Sequence, residues 1–155
     1  FVMKFVATLK MYLFFLFKVP MILWCFPRLN TMDNKGVTLT IPLNVLTKNH
    51  LGSMYFGALM VGVDLACGLL AFHLIDQSES RLSLIFKDVH AQFLQRAEGA
   101  VRFECLEGAL IQDMIQKAIF SQERVSMPIP VKGMLVKTNE CVADFTITLS
   151  IKIRS

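Results

Sequence analysis

The chain has 155 residues, of which 54% are hydrophobic and 18% charged, and its net charge is +4. That length suits one domain with a sizeable core, and the apolar excess calls for further buried surface at a subunit interface or a membrane. No Lys/Arg run and no interleaving of aromatic with basic residues is present, which argues against nucleic acid as a partner; the mild positive balance suits an anionic ligand.

Residues 1–26 are very apolar, but Lys4, Lys10 and Lys18 interrupt every run well short of the ~20 residues a membrane span needs. No small-residue cleavage pattern follows, so a signal peptide is not expected. The spacing predicts a helix over about 2–17, ended near Pro20, with Phe5, Leu9, Leu13, Leu16 and Phe17 as its packing stripe. Such a helix lies across the sheet edge or a partner; contact with a membrane surface is the alternative.

Strands begin after Pro27. Arg28–Met32 is a short candidate, and Asp33-Asn34-Lys35-Gly36 is a turn signal. Val37, Leu39, Ile41 and Leu43 alternate with Thr38, Thr40 and Pro42 as in a half-buried strand, and Pro42 belongs at its edge or end. Residues 44–53 read as a loop, with Ser53 as the expected N-cap of the helix that follows.

That helix, from Met54 to about Ile75, is apolar on every face, so either protein wraps it or lipid does. One carboxylate, Asp64, lies in its middle, where an ionisable group is costly unless paired, hydrated or used. Gly57, Ala58, Gly62, Ala66, Gly68 and Ala71 are small and let another backbone approach. As a membrane span the helix would carry Asp64 near its centre at a cost of roughly 2.5–3.5 kcal/mol.

Downstream, Ile85, Val89, Ala91 and Phe93 alternate with Asp88, His90, Gln92 and Arg96; Val101, Phe103 and Cys105 oppose Arg102 and Glu104. Ala109, Ile111, Met114, Ile115, Ala118 and Ile119 predict a shorter amphipathic helix. Strands over 124–132 and 141–154 alternate with the same one-sided pattern. One apolar face per strand specifies an antiparallel sheet buried on one side, and the 54–75 helix is the only large apolar object to bury it on. The four cysteines, Cys25, Cys67, Cys105 and Cys141, show neither CxxC nor Cys/His ligand spacing. No metal is therefore expected, and buried free thiols in a reducing, cytoplasmic compartment fit them.

From about Pro27 to Arg154 the sequence resembles the hotdog thioesterase superfamily, especially PaaI-like acyl-CoA thioesterases and related thioesterase-like families. The residues that carry the resemblance are Asn49-His50-x-Gly52, Tyr55-Phe56-Gly57-Ala58-Leu59, Asp64-Leu65-Ala66-x-Gly68 and Phe93-Leu94-Gln95-Arg96-Ala97-Glu98-Gly99. The resemblance implies an α+β hotdog fold: a curled antiparallel sheet around a long central helix, as one domain over 1–155 with 1–26 as an N-terminal helical extension. It implies an acyl-thioester hydrolase in which Asn49 and Asp64 act across a dimer interface. A backbone N–H at the helix start, here Phe56, would bind the thioester oxygen; the family's His-Gly-Gly there is replaced by Tyr55-Phe56-Gly57. No cofactor is expected, coenzyme A or an acyl carrier entering as substrate.

The chemistry agrees. Thioester hydrolysis needs a nucleophile or base near the carbonyl carbon and donors aimed at the developing oxyanion. Phe56 and Gly57 sit in the first helical turn, where N–H groups are unpaired and the dipole is positive. Asp64 lies about 10–12 Å further along, too far to serve the same carbonyl in one subunit. A neighbouring antiparallel helix must supply it, so the motif requires a homodimer, which in this fold often pairs again. Tyr55 is a candidate pocket or donor residue, and Lys87, Arg96, Arg102 and Lys132 are candidates for coenzyme A phosphates. Two other readings compete: a hydroxyacyl-thioester dehydratase or isomerase using His50 with Asp64, and a non-catalytic acyl- or lipid-binding protein.

Overall fold

The computed structural model describes residue 9 and residues 12–154. Residues 12–18 are helical and run through Val19 into a 3-10 turn, Pro20–Cys25. The strands and helices that follow are β1 (Arg28–Met32), β2 (Val37–Ile41), α1 (Phe56–Gln77), β3 (Leu82–Phe93), β4 (Val101–Cys105), α2 (Gly108–Ser121), β5 (Val125–Leu135) and β6 (Cys141–Ile153). The strands form one antiparallel sheet in the order β1-β2-β4-β5-β6-β3. The N-terminal helix expected over 2–17 falls largely outside the described residues; its described part ends at Lys18, just before Pro20.

The one-sided alternation becomes the inner face of the sheet. Val37, Leu39 and Ile41 of β2, Phe103 of β4, Ile129 of β5 and Leu149 of β6 are all fully buried. They close on Val63, Ala66, Cys67 and Leu70 of α1, also buried. So α1, long and apolar enough to cross a membrane by length and composition, is wrapped by its own sheet. Each large side chain buried this way contributes roughly 1.5–3 kcal/mol, which is why the pattern selects this layout. α2 packs on α1, β5 and β6 through Ile111, Met114, Ile115 and Ala118; Ala109, expected on that face, is exposed.

Gly62 explains how the sheet comes so close. A Cβ there would lie 2.3 Å from the Phe103 ring, so the helix can seat on β4 only without one. At Gly68 the nearest atom, on Phe86, is 3.8 Å away, and a methyl group would fit. Ala58, Ala66 and Ala71 are likewise buried inside the chain. The small residues expected to admit a second helix are thus mostly used by the chain's own sheet.

Two strand details depart from simple alternation. The β3–β6 register shifts between Phe86 and Val89, and the Thr148 hydroxyl donates to Asp88 at 2.6 Å. This bulge reverses the phase, so Phe86 pairs with buried Leu149 while Ile85, expected beside Val89, pairs with Ser150. In β5, Pro128 and Pro130 lie in a strand with two neighbours. β4 pairs with β5 only from Lys132 to Leu135, so the two prolines fall where the β4 side is open and no donor is missed.

Candidate active site

The start of α1 is built by the loop before it. Asn49 closes an Asx turn: its Oδ1 accepts from the Leu51 N–H at 2.9 Å and the Ser53 N–H at 3.2 Å, and its Nδ2 donates to Ser53 Oγ at 3.1 Å. Ser53 is therefore engaged with Asn49 and does not cap the helix. The N-cap is Tyr55, two residues later, with φ −63° and ψ 139° and no side-chain cap. The Tyr55 N–H donates to the carbonyl of the buried Thr47 at 2.7 Å. The second part of the sequence resemblance meets the first here, since the Met54 N–H donates to the Ala97 carbonyl at 2.9 Å.

Because Tyr55 brings no acceptor, the helix starts uncapped. The Ala58 and Leu59 N–H groups both turn back to the Tyr55 carbonyl. Those of Phe56 and Gly57 have no hydrogen-bond partner among the described residues. Two donors at the positive end of a helix are thus available to an oxyanion. The Phe56 side chain does not cover them; it leans on Phe93 of β3, ring centroids 5.9 Å apart. The Tyr55 ring lies over Gly57, where a Cβ would come within 2.5 Å of it, so a side chain there would displace that ring. An open pocket of about 400 Å³ adjoins this region, lined by Asn49, Ser53, Phe56, Phe93, Gln95 and Arg96 among others.

Asp64 stands elsewhere. The open stripe of α1 runs through Phe56, Met60 and Asp64, each one helical turn from the next, and resumes at Phe72 two turns further on. Asp64 opens onto a cavity of about 230 Å³ whose walls include Phe14, Phe15, Ile22, Phe72, Leu84 and Phe86. It is the only ionisable group among the described residues lining that cavity. Solvent reaches the carboxylate, yet the apolar surroundings raise its pKa through burial. Eight residues of helix, about 12 Å, separate it from Phe56, and the two cavities do not share a wall residue.

The other candidates are sorted by the same geometry. His50 is exposed on the Asx turn and lines neither cavity. Arg102 is engaged, its Nε donating to Glu104 at 2.7 Å and its Nη2 to Asn139 at 2.6 Å. Of the four cations considered for phosphates, Arg96 alone lines the cavity beside Asn49. Sequence reasoning missed Ser53 as the partner of Asn49, and missed Phe14, Phe15 and Ile22 as walls for Asp64. Only the first had a signal: Ser four residues after Asn in a Gly-containing loop. The neighbouring Cys105 thiol of β4 and burial push the Cys67 thiol of α1 upward; all four cysteines are free thiols.

A curled antiparallel sheet closed on one long helix, with the helix start and a mid-helix carboxylate left accessible, is a hotdog domain. A Pseudomonas aeruginosa protein of unknown function, called a probable thioesterase, matches it with a TM-score of 0.81 at 23% identity, over 96% of each chain. A Staphylococcus aureus thioesterase matches at 0.66 and 15% identity, over 86% of this chain and 99% of that one. A Haemophilus influenzae thioesterase matches at 0.66 and 11%, over 89% and 86%. At these identities the likeness is one of fold. The chain belongs to the DUF4442 family, a domain of unknown function, whose model matches residues 9–151. No curated protein matches it.

Proposed function

We propose that the chain hydrolyses an acyl thioester of coenzyme A or an acyl carrier, in sites shared by two copies. The observation that carries this reading is Asp64, a solitary carboxylate at the mouth of an apolar cavity on the open stripe of α1. The acyl group lies in that cavity, with the thioester carbonyl beside Asp64. The carboxylate takes a proton from water, whose oxygen attacks the carbonyl carbon, or attacks that carbon itself to form an anhydride that water then opens. Charge gathers on the carbonyl oxygen, where the Phe56 and Gly57 N–H groups of the other copy donate to it. The C–S bond breaks, the sulfur leaves and is protonated, and a carboxylic acid and a thiol result. Asn49 holds the loop that sets these amides, and Arg96, lining the adjoining cavity, binds a phosphate of the leaving group.

The free edge of β3 supports the dimer. It is 12 residues long, pairs among the described residues only with β6, and exposes Ile85, Val89 and Phe93; an edge of that length invites a second strand. The Staphylococcus aureus structures include a Gln-to-Ala and a Glu-to-Ala variant fifteen positions apart, the separation of Asn49 and Asp64 in this chain. The hydrolase is favoured over a dehydratase because His50 faces neither cavity.

Thiol release from a panel of acyl-CoAs, aromatic to long-chain, tests the proposal. Wild type turns over some chain length, and Asp64→Asn lowers kcat by at least about a hundredfold. His50→Ala leaves hydrolysis largely intact. Because the base must be ionised, the rate falls as pH drops through the pKa of Asp64. Burial raises that pKa, so the acid limb lies above the ordinary carboxylate value of 3.8. Turnover that survives Asp64→Asn would contradict the proposal.

A further inference from the structure

The N-terminal segment has one face in the core and another with no cover among the described residues. Phe15 and Ile22 are 4% and 3% exposed, and the Tyr12 hydroxyl donates to the Pro27 carbonyl at 2.9 Å, so the segment is fastened to the domain. On its outer side Leu13, Leu16, Phe17, Met21 and Trp24 are all about half exposed or more, Phe17 at 79%. Of the 23 large hydrophobic side chains exposed among the described residues, nine lie between Leu9 and Phe26, a concentration single surface residues do not explain.

The charge is arranged to match. Residues 1–32 hold Lys4, Lys10, Lys18 and Arg28 and no acidic residue, so the whole net charge of +4 resides there. The remaining residues carry equal numbers of basic and acidic groups. Lys18 and Arg28 are exposed beside the apolar face. Apolar side chains flanked by cations, with a Trp at the margin, are the chemistry of a surface that enters the headgroup region of an anionic bilayer. A second copy of this chain brings the same positive charge to the same face, and the two would repel.

We infer that residues 12–26 dock the protein on an anionic lipid surface, with Phe17, Met21 and Trp24 in the interface and Lys18 and Arg28 against the headgroups. Phe14, Phe15, Val19 and Ile22 of the same segment wall the Asp64 cavity, so docking sets that cavity near the bilayer. The inference does not depend on any reaction at Asp64.

Co-sedimentation of the full chain with vesicles tests it, using phosphatidylcholine alone and phosphatidylcholine with phosphatidylglycerol. Binding to the anionic vesicles is at least about tenfold tighter, and high salt removes that advantage. Lys18→Glu with Arg28→Glu abolishes the preference. Phe17→Ser, Met21→Ser and Trp24→Ser together weaken binding by at least about tenfold. These side chains lie outside the cavity walls and are well exposed, so the melting temperature and the rate on water-soluble substrate stay unchanged. Wild type that stays in the supernatant with anionic vesicles overturns the inference. So does equal, salt-independent binding to both vesicles. A triple serine variant that instead reduces the sedimenting mass, with no vesicle binding by wild type, overturns it in favour of an interface between copies.

Discussion

Tyr55 determines what the start of α1 offers. At the N-cap position Ser, Thr, Asp or Asn would turn an oxygen back onto the first amides; Tyr55 cannot, and the Phe56 and Gly57 N–H groups stay open. The backbone there allows the amide to be removed alone. Tyr55 has ψ 139°, the conformation a following proline requires, and proline is well accepted at the first helical position. Phe56→Pro is therefore expected to fold and to lose one oxyanion donor, lowering kcat by about 100- to 1,000-fold. Phe56→Ala, which keeps the N–H and loses the contact with Phe93, serves as the comparison and loses far less. Equal losses in the two variants, measured by thiol release, would assign the effect to the side chain. At this scale Asp64 was legible in the sequence as one carboxylate in an apolar helix, and Asn49 as a loop residue before it. The cavity around Asp64 was not legible, because its walls come from residues 14–22 and 84–86, which no local spacing connects to position 64. The cap was misplaced at Ser53 because the Asx turn of Asn49 claims that hydroxyl first.

The elements show which parts of the pattern the packing enforces. Gly62 and Gly68 look alike in sequence, both small and on an apolar helix. In the fold one faces the Phe103 ring at 2.3 Å for an added Cβ and the other faces space to 3.8 Å. Gly62→Ala is expected to destabilise by about 1–3 kcal/mol through overpacking. Gly68→Ala is expected to be neutral or to stabilise by up to about 1 kcal/mol, because alanine favours the helix. Urea denaturation of the two variants separates them, and equal losses would mean that the helix does not seat on β4 as described. The strands were legible because a period of two with one apolar face has few other solutions. The bulge between Phe86 and Val89 was not, since an inserted residue leaves apolar residues on both sides of the break and reverses the phase unseen. Pro128 and Pro130 are intelligible only once the shortness of β4 is known.

At the scale of the molecule, the proposed site falls into two parts that one chain does not bring together. The open amides of α1 sit beside Asn49 and Arg96, and Asp64 sits in a separate cavity two helical turns away. In the proposed dimer, the exposed edge of β3 and the open stripe of α1 are the surfaces that would receive the second copy. The layout of sheet around helix was readable from the sequence because that helix was the only object able to bury the sheet. The expectation of a second copy rests on helix rise, which keeps Asp64 and Phe56 of one chain apart. What the copy covers is a property of the assembled surface, which periodicity does not encode.

The most direct test of the shared site is subunit complementation. Phe56→Pro and Asp64→Asn are each purified, found inactive, mixed under conditions that exchange subunits, and assayed for thiol release. If each site takes its amides from one copy and its carboxylate from the other, mixed dimers contain one site with both intact. Random exchange at equal amounts then restores about a quarter of wild-type activity. If both groups served the same site from one chain, every site in the mixture would still lack one of them. Activity that stays at the level of the separate variants, with exchange verified, would contradict the account.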